Sequence, residues 1–116
     1  MVLFYKISLG FVLALFFLGA SFAWAGTVEI SEVAWMGTSV STADEWIELY
    51  SAGGANLSGW VLKTEDGGMT VNLSGAVPAG GYFLIERTND DTVPGIAADL
   101  ITSFGNGLAN AVEILV

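Results

Sequence analysis

Carboxylates are the side chains best placed to do chemistry in this sequence, because it contains neither histidine nor cysteine. Calcium takes roughly six to eight oxygen ligands from such groups and would relieve repulsion in a strongly acidic domain. Glu32, Glu45, Asp90 and Asp91 are the candidate ligands, with Asp44 and Glu48 close by in sequence. No D-x-D-x-D-G loop organises them, so solvated surface charge is the competing reading. A glycosidase pair would need a cleft and one carboxyl of raised pKa, and a chain this short has little room for a cleft. The missing imidazole and thiol groups exclude Ser-His-Asp and Cys-His catalysis, ordinary zinc sites and disulfides. The reading is of a chain that is not an enzyme, with calcium as its one conceivable cofactor.

Two short apolar runs, each with a tryptophan, flank the break at Gly53-Gly54: Glu45-Trp46-Ile47-Glu48-Leu49-Tyr50 and Leu57-Ser58-Gly59-Trp60-Val61-Leu62. Strand alternation divides their side chains between two faces. Ile47, Leu49, Trp60 and Leu62 are expected to face the core, where truncating a tryptophan costs roughly 3 to 5 kcal/mol. Trp46, Glu48 and Tyr50 fall on the opposite face. They form either an ordinary outer surface, with Glu48 paired to Lys63 or Arg87, or an aromatic platform for a partner protein or a sugar.

Charge narrows the partners. The chain has 12 Asp and Glu against 3 Lys and Arg, a net charge of −9. Phosphate backbones are held by cations that release counterions, and beyond Lys6 the chain offers Lys63 and Arg87 alone. Nucleic acid is therefore disfavoured as a partner.

The elements that must position these residues begin after an apolar leader. Lys6, the uncharged stretch 7–18 and Ala23-Trp24-Ala25 before Gly26 have the order of a secretory signal peptide, so 1–25 is read as a signal helix. An uncleaved membrane anchor is the alternative, since the apolar stretch approaches the ~20 residues of a spanning helix. Localisation is accordingly read as secreted or cell-envelope.

From residue 26 onward short apolar segments alternate with Gly, Asn, Asp and Ser, and no helical period is sustained. Strands are expected at 27–36, 44–50, 59–64, 69–73, 82–86 and 112–116, with a short extended piece at 97–103. In the first, Val28 and Ile30 fall on one parity while Val33 and Trp35 fall on the other, which implies a bulge or a change of sheet. Asn56 is assigned to the turn before Trp60, and 65–68 and 78–81 are read as turns. Strands this short and this closely spaced describe an all-β domain over 26–116, an antiparallel β-sandwich or a small barrel. The last strand reaches the final residue, so the sandwich is expected to lack its closing strand, and an open edge invites self-association or pairing with another chain.

The blocks Ile30-Ser31-Glu32-Val33-Ala34-Trp35, Glu45-Trp46-Ile47-Glu48-Leu49, Leu57-Ser58-Gly59-Trp60-Val61-Leu62 and Gly81-Tyr82-Phe83-Leu84-Ile85-Glu86-Arg87 together resemble the bacterial branch of the lamin-tail domain family. The resemblance runs from about residue 28 to 116. It implies an immunoglobulin-like sandwich without catalytic activity. It further implies a secreted accessory module of the kind that stands beside extracellular hydrolase domains. The chain itself is read as a binding or structural module that contacts protein or polysaccharide at the cell envelope; the alternatives are a calcium-dependent accessory domain of an extracellular hydrolase and a truncated remnant of one. The chain is expected to depart from the family in lacking a companion domain, and its acidity fits poorly with chromatin contact.

Overall fold

Trp46–Ser51 carries Trp46, Ile47 and Tyr50, residue types that favour strands, and alternates strictly with a two-residue period; it forms the strand β2 of the computed structural model, which describes residues 26–108. Ile47, Leu49 and Ser51 are buried, while Trp46, Glu48 and Tyr50 alternate with them on a half-buried face. Glu29–Ala34 (β1) and Gly81–Arg87 (β7) pair with it on either side, both antiparallel. The parity slip in β1 is a bulge: the register shifts between Ile30 and Glu32, leaving Ser31 as the extra residue. Glu29 and Glu32 consequently share the outer face with Glu48, while Ile30 and Val33 face inward opposite Leu49 and Ile47.

Leu100–Thr102 (β8) completes the sheet in the order β1-β2-β7-β8. It runs parallel to β7, so the sheet is mixed and the wholly antiparallel expectation is corrected. The physical cause is the long connection 88–99. A tight turn after β7 would return the chain antiparallel, whereas a connection of about a dozen residues carries it back to the start of a parallel strand.

Four short strands make the rest. Ala55–Asn56 (β3) pairs with Ala76–Val77 (β6), and between them Val61–Lys63 (β4) pairs with Thr70–Asn72 (β5). The two pairs are nested in one long ribbon, continued by Leu57 N–H donating to Gly75 C=O at 2.9 Å and Leu73 N–H to Trp60 C=O at 2.9 Å. Its tip is the 65–68 turn, where the Asp66 carboxylate accepts from the Thr64 hydroxyl (2.7 Å) and from Gly68 N–H (2.8 Å). β3 and β6 are additions to the expected strands, as each has only two residues and carries no alternation to read.

An irregularity at Ser58-Gly59 displaces Trp60 from its expected place. Asn56 Oδ1 accepts from Ser58 N–H (2.9 Å), Trp60 N–H donates to Leu57 C=O (3.0 Å), and Gly59 takes φ 83°, a left-handed value that suits glycine. This tight turn inserts one residue into the first arm of the ribbon, and the strand resumes only at Val61. Leu57 is thus fully buried while Trp60 is left 44% exposed at the rim, which corrects its assignment to the core.

Ile47, Leu49 and Leu62 are buried, together with Leu57, Met69, Val71, Leu73, Val77, Phe83, Ile85, Phe104 and Leu108, in one cluster drawn from the sheet, the ribbon and the 103–108 segment. Burying each large side chain contributes about 1.5 to 3 kcal/mol. Among the described residues there is no helix. The leader at 1–25 and the strand expected at 112–116 lie outside the described residues.

Candidate functional site

The outer face of the sheet carries Trp46, Glu48 and Tyr50 on β2, in register with Ala34, Glu32 and Glu29 of β1 and with Glu86, Leu84 and Tyr82 of β7. Tyr50 and Tyr82 are direct cross-strand neighbours, with ring centroids 5.1 Å apart and planes inclined at 47°. Such pairs add about 0.5 to 1.5 kcal/mol beyond their area, and they fix the orientation of both rings. Tyr82 is nevertheless 56% exposed. Glu48 Oε1 accepts from the Ser31 hydroxyl at 2.7 Å, so its partner is the bulge residue and neither Lys63 nor Arg87.

Further along the same face, the 88–99 connection covers what alternation alone would leave open. Leu84 is buried and Glu86 is wholly so, its two carboxylate oxygens accepting from Thr92 N–H (3.2 Å) and Val93 N–H (3.0 Å). Asp99 accepts from Leu84 N–H at 2.7 Å and donates its own N–H to Leu84 C=O at 2.9 Å. Asp90 accepts from Ala98 N–H at 2.7 Å. These acidic residues therefore brace a loop against the sheet. The connection ends the open part of the outer face, leaving the patch around Tyr50, Tyr82, Glu48 and Trp46.

On the inner side, at the opposite end of β2, Glu45 and Arg87 form an ion pair with Arg87 Nη1 2.8 Å from Glu45 Oε2. The Glu45 side chain is 4% exposed and that of Arg87 21%. Leu108 N–H also donates to this carboxylate, at 3.1 and 3.2 Å to its two oxygens. Gly107, with φ 82°, lets the backbone lie against the pair, since a Cβ there would stand 3.0 Å from Glu45 Oε2 and collide with Arg87 Nη1. A cavity of about 250 Å³, with Trp35, Met36 and Asn106 on its walls, opens onto Arg87.

The calcium candidates are not brought together. Glu45 is spent on Arg87 and Leu108 N–H inside the domain, Glu32 stands on the outer face of β1, and Asp90 holds its own loop. Asp91 is exposed and shares with Asp44 a cavity of about 440 Å³ whose walls include Thr38, Ser41, Asn89 and Thr92. Among the described residues, no three carboxylates stand where they could hold a metal ion.

Sequence reasoning missed Tyr82 as the partner of Tyr50, and Arg87 as the partner of Glu45. Both are legible in retrospect from register, because antiparallel pairing of the 45–50 and 82–87 runs sets Tyr50 opposite Tyr82 and Trp46 opposite Glu86. No protein-family model, no curated protein and no solved structure matches the chain.

Proposed function

We propose that this is a secreted, non-catalytic binding module of immunoglobulin-like, lamin-tail type, which recognises protein or carbohydrate at the cell envelope through the outer face of β2 and β7. The observation that carries the reading is the Tyr50–Tyr82 pair, oriented on a sheet whose other face is packed, with Trp46 and Glu48 half-exposed beside it. Rigid aromatic side chains give contact area at low entropic cost, and aromatics are enriched at interfaces. Support for a sandwich comes from the single core cluster shared by the sheet and the ribbon. Support for export comes from the leader-type sequence at 1–25.

The test is to probe immobilised glycan and peptide arrays with the domain and with Tyr82→Ala. The exposed tyrosine can be removed without unfolding the domain, so the variant should lose the signals that the parent gives. Full retention of every signal by a folded Tyr82→Ala protein would overturn the assignment of this face.

A further inference from the structure

Among the described residues β1 has β2 on one side only, which leaves alternate N–H and C=O groups along its other side as an edge for a further strand. Its two faces differ sharply. On the inner face Ile30, although aligned with buried Leu49, is 39% exposed, and it opens on an apolar groove of about 130 Å³ walled by Val28, Leu49, Trp60, Leu62 and Leu73. Trp60, 44% exposed, forms the far rim of this groove. On the outer face stand Glu29, Glu32 and Glu48, with Glu32 directly opposite Glu48. Like charges in direct cross-strand register destabilise a sheet, and the ion pair found among the described residues, Glu45–Arg87, lies on the inner side and does nothing to neutralise them.

We propose that β1 is the docking edge for an extended peptide of a partner protein in which basic residues alternate with apolar ones. This rests on the reading of the domain as a binding module and names the chemistry of its partner. Main-chain pairing along β1 supplies affinity, and the two-residue period of the incoming strand sends its apolar side chains into the Ile30–Trp60 groove and its cations to the three glutamates. A second copy of this chain is a poor occupant, because edge-to-edge pairing would bring Glu29 and Glu32 against their own counterparts, and the bulge at Ser31 breaks a flat edge. Residues 109–116 of this chain supply Glu113 and no cation, so they lack the complementary charge.

The experiment uses the full chain and a short synthetic peptide alternating lysine with valine. Controls are its glutamate–valine counterpart, a peptide of the same composition with all lysines in one block, and a peptide of the 109–116 sequence. Binding is followed by titration calorimetry at low and physiological salt, and hydrogen exchange is read amide by amide. Expected is saturable, salt-sensitive binding of the alternating lysine peptide, slowed exchange in β1 and not in β8, and an affinity lowered about ten-fold in Glu29→Lys/Glu32→Lys, where exposed ion pairs become repulsive. Unchanged affinity in that variant, equal binding of the blocked peptide, or equal binding of the glutamate or 109–116 peptide would overturn the proposal. Loss of array signals in Tyr82→Ala with no slowing of β1 exchange by the lysine peptide would defeat the edge alone. Slowed β1 exchange with array signals unaffected by Tyr82→Ala would uphold the edge while defeating the aromatic face.

Discussion

Replacing Glu45 by glutamine keeps the size of the side chain and removes the charge that three contacts depend on. In the native protein its carboxylate accepts from Arg87 Nη1 at 2.8 Å and from Leu108 N–H at 3.1 and 3.2 Å. Glutamine has one acceptor oxygen; placed where Oε2 stands it still accepts from both donors, but its NH2 then faces Leu108 N–H from the Oε1 position and the Arg87 guanidinium loses its counter-charge. A hydrogen bond to a charged group contributes about 1.5 to 3 kcal/mol, and stranding one member of a buried pair costs about 3 to 5 kcal/mol. The Arg87 side chain is 21% exposed, and water can reach the guanidinium left behind, so the loss should fall just below that range, about 2 to 3 kcal/mol. Urea denaturation followed by circular dichroism, at fixed pH and salt, measures it through the shift in midpoint at constant slope. Adding Arg87→Met removes the stranded cation, and the double variant should be more stable than the sum of the single losses predicts. A loss below about 0.5 kcal/mol for Glu45→Gln, or strict additivity in the cycle, would refute the view that this pair ties the end of the core together.

Two further outcomes follow from burial and titration. Phe104→Ala empties a fully buried site and should cost about 3 to 5 kcal/mol, whereas Trp60→Ala, at a site 44% exposed, should cost no more than about 1.5 kcal/mol by denaturant titration; a Trp60 loss equal to that of Phe104 would return the tryptophan to the core. Asp66 is held below its ordinary value of 3.8 by Gly68 N–H and then by the Thr64 hydroxyl, both of which favour the charged form. A depressed folded-state pKa stabilises the fold at pH above the unfolded value, and that stability is lost as pH falls through the folded value. The stability difference between the parent and Asp66→Ala should therefore be constant above about pH 5 and shrink on acidification below 3.8, as followed by urea midpoints across pH; a difference that grew on acidification would contradict this bonding.

Much of the sheet was legible because its signal is periodic. Ile47 and Leu49 announce the inner face of β2, and the parity slip at Ser31 announces the bulge in β1, since both are properties of side-chain alternation. Trp60 was misread because alternation was carried backward from Leu62 through Ser58-Gly59, where an Asx turn and a left-handed glycine interrupt the strand. Alternation sets Glu86 on the face of Tyr82 and Leu84, and its burial there depends on where the 88–99 connection lies, which no local pattern encodes. The same holds for the site. Trp46, Glu48 and Tyr50 follow from the strand period, whereas the choice of Ser31 over Lys63 or Arg87 as the partner of Glu48 is a matter of pairing between distant segments.

The contact between Glu45 and Leu108 spans 63 residues of sequence, against 15 for that between Leu84 and Asp99. Closing the longer loop costs about 1.3 kcal/mol more chain entropy by the logarithmic law, and it returns nothing until both ends of the domain are already gathered. The bond from Leu108 N–H to the Glu45 carboxylate thus forms late in assembly. Until Leu108 arrives, Arg87 is the carboxylate's partner, and the half-built core beside Phe104 stays open at that end. Folding from a nucleus in β2 and β7 would finish with this closure, so Leu108→Ala should quicken unfolding more than it slows folding.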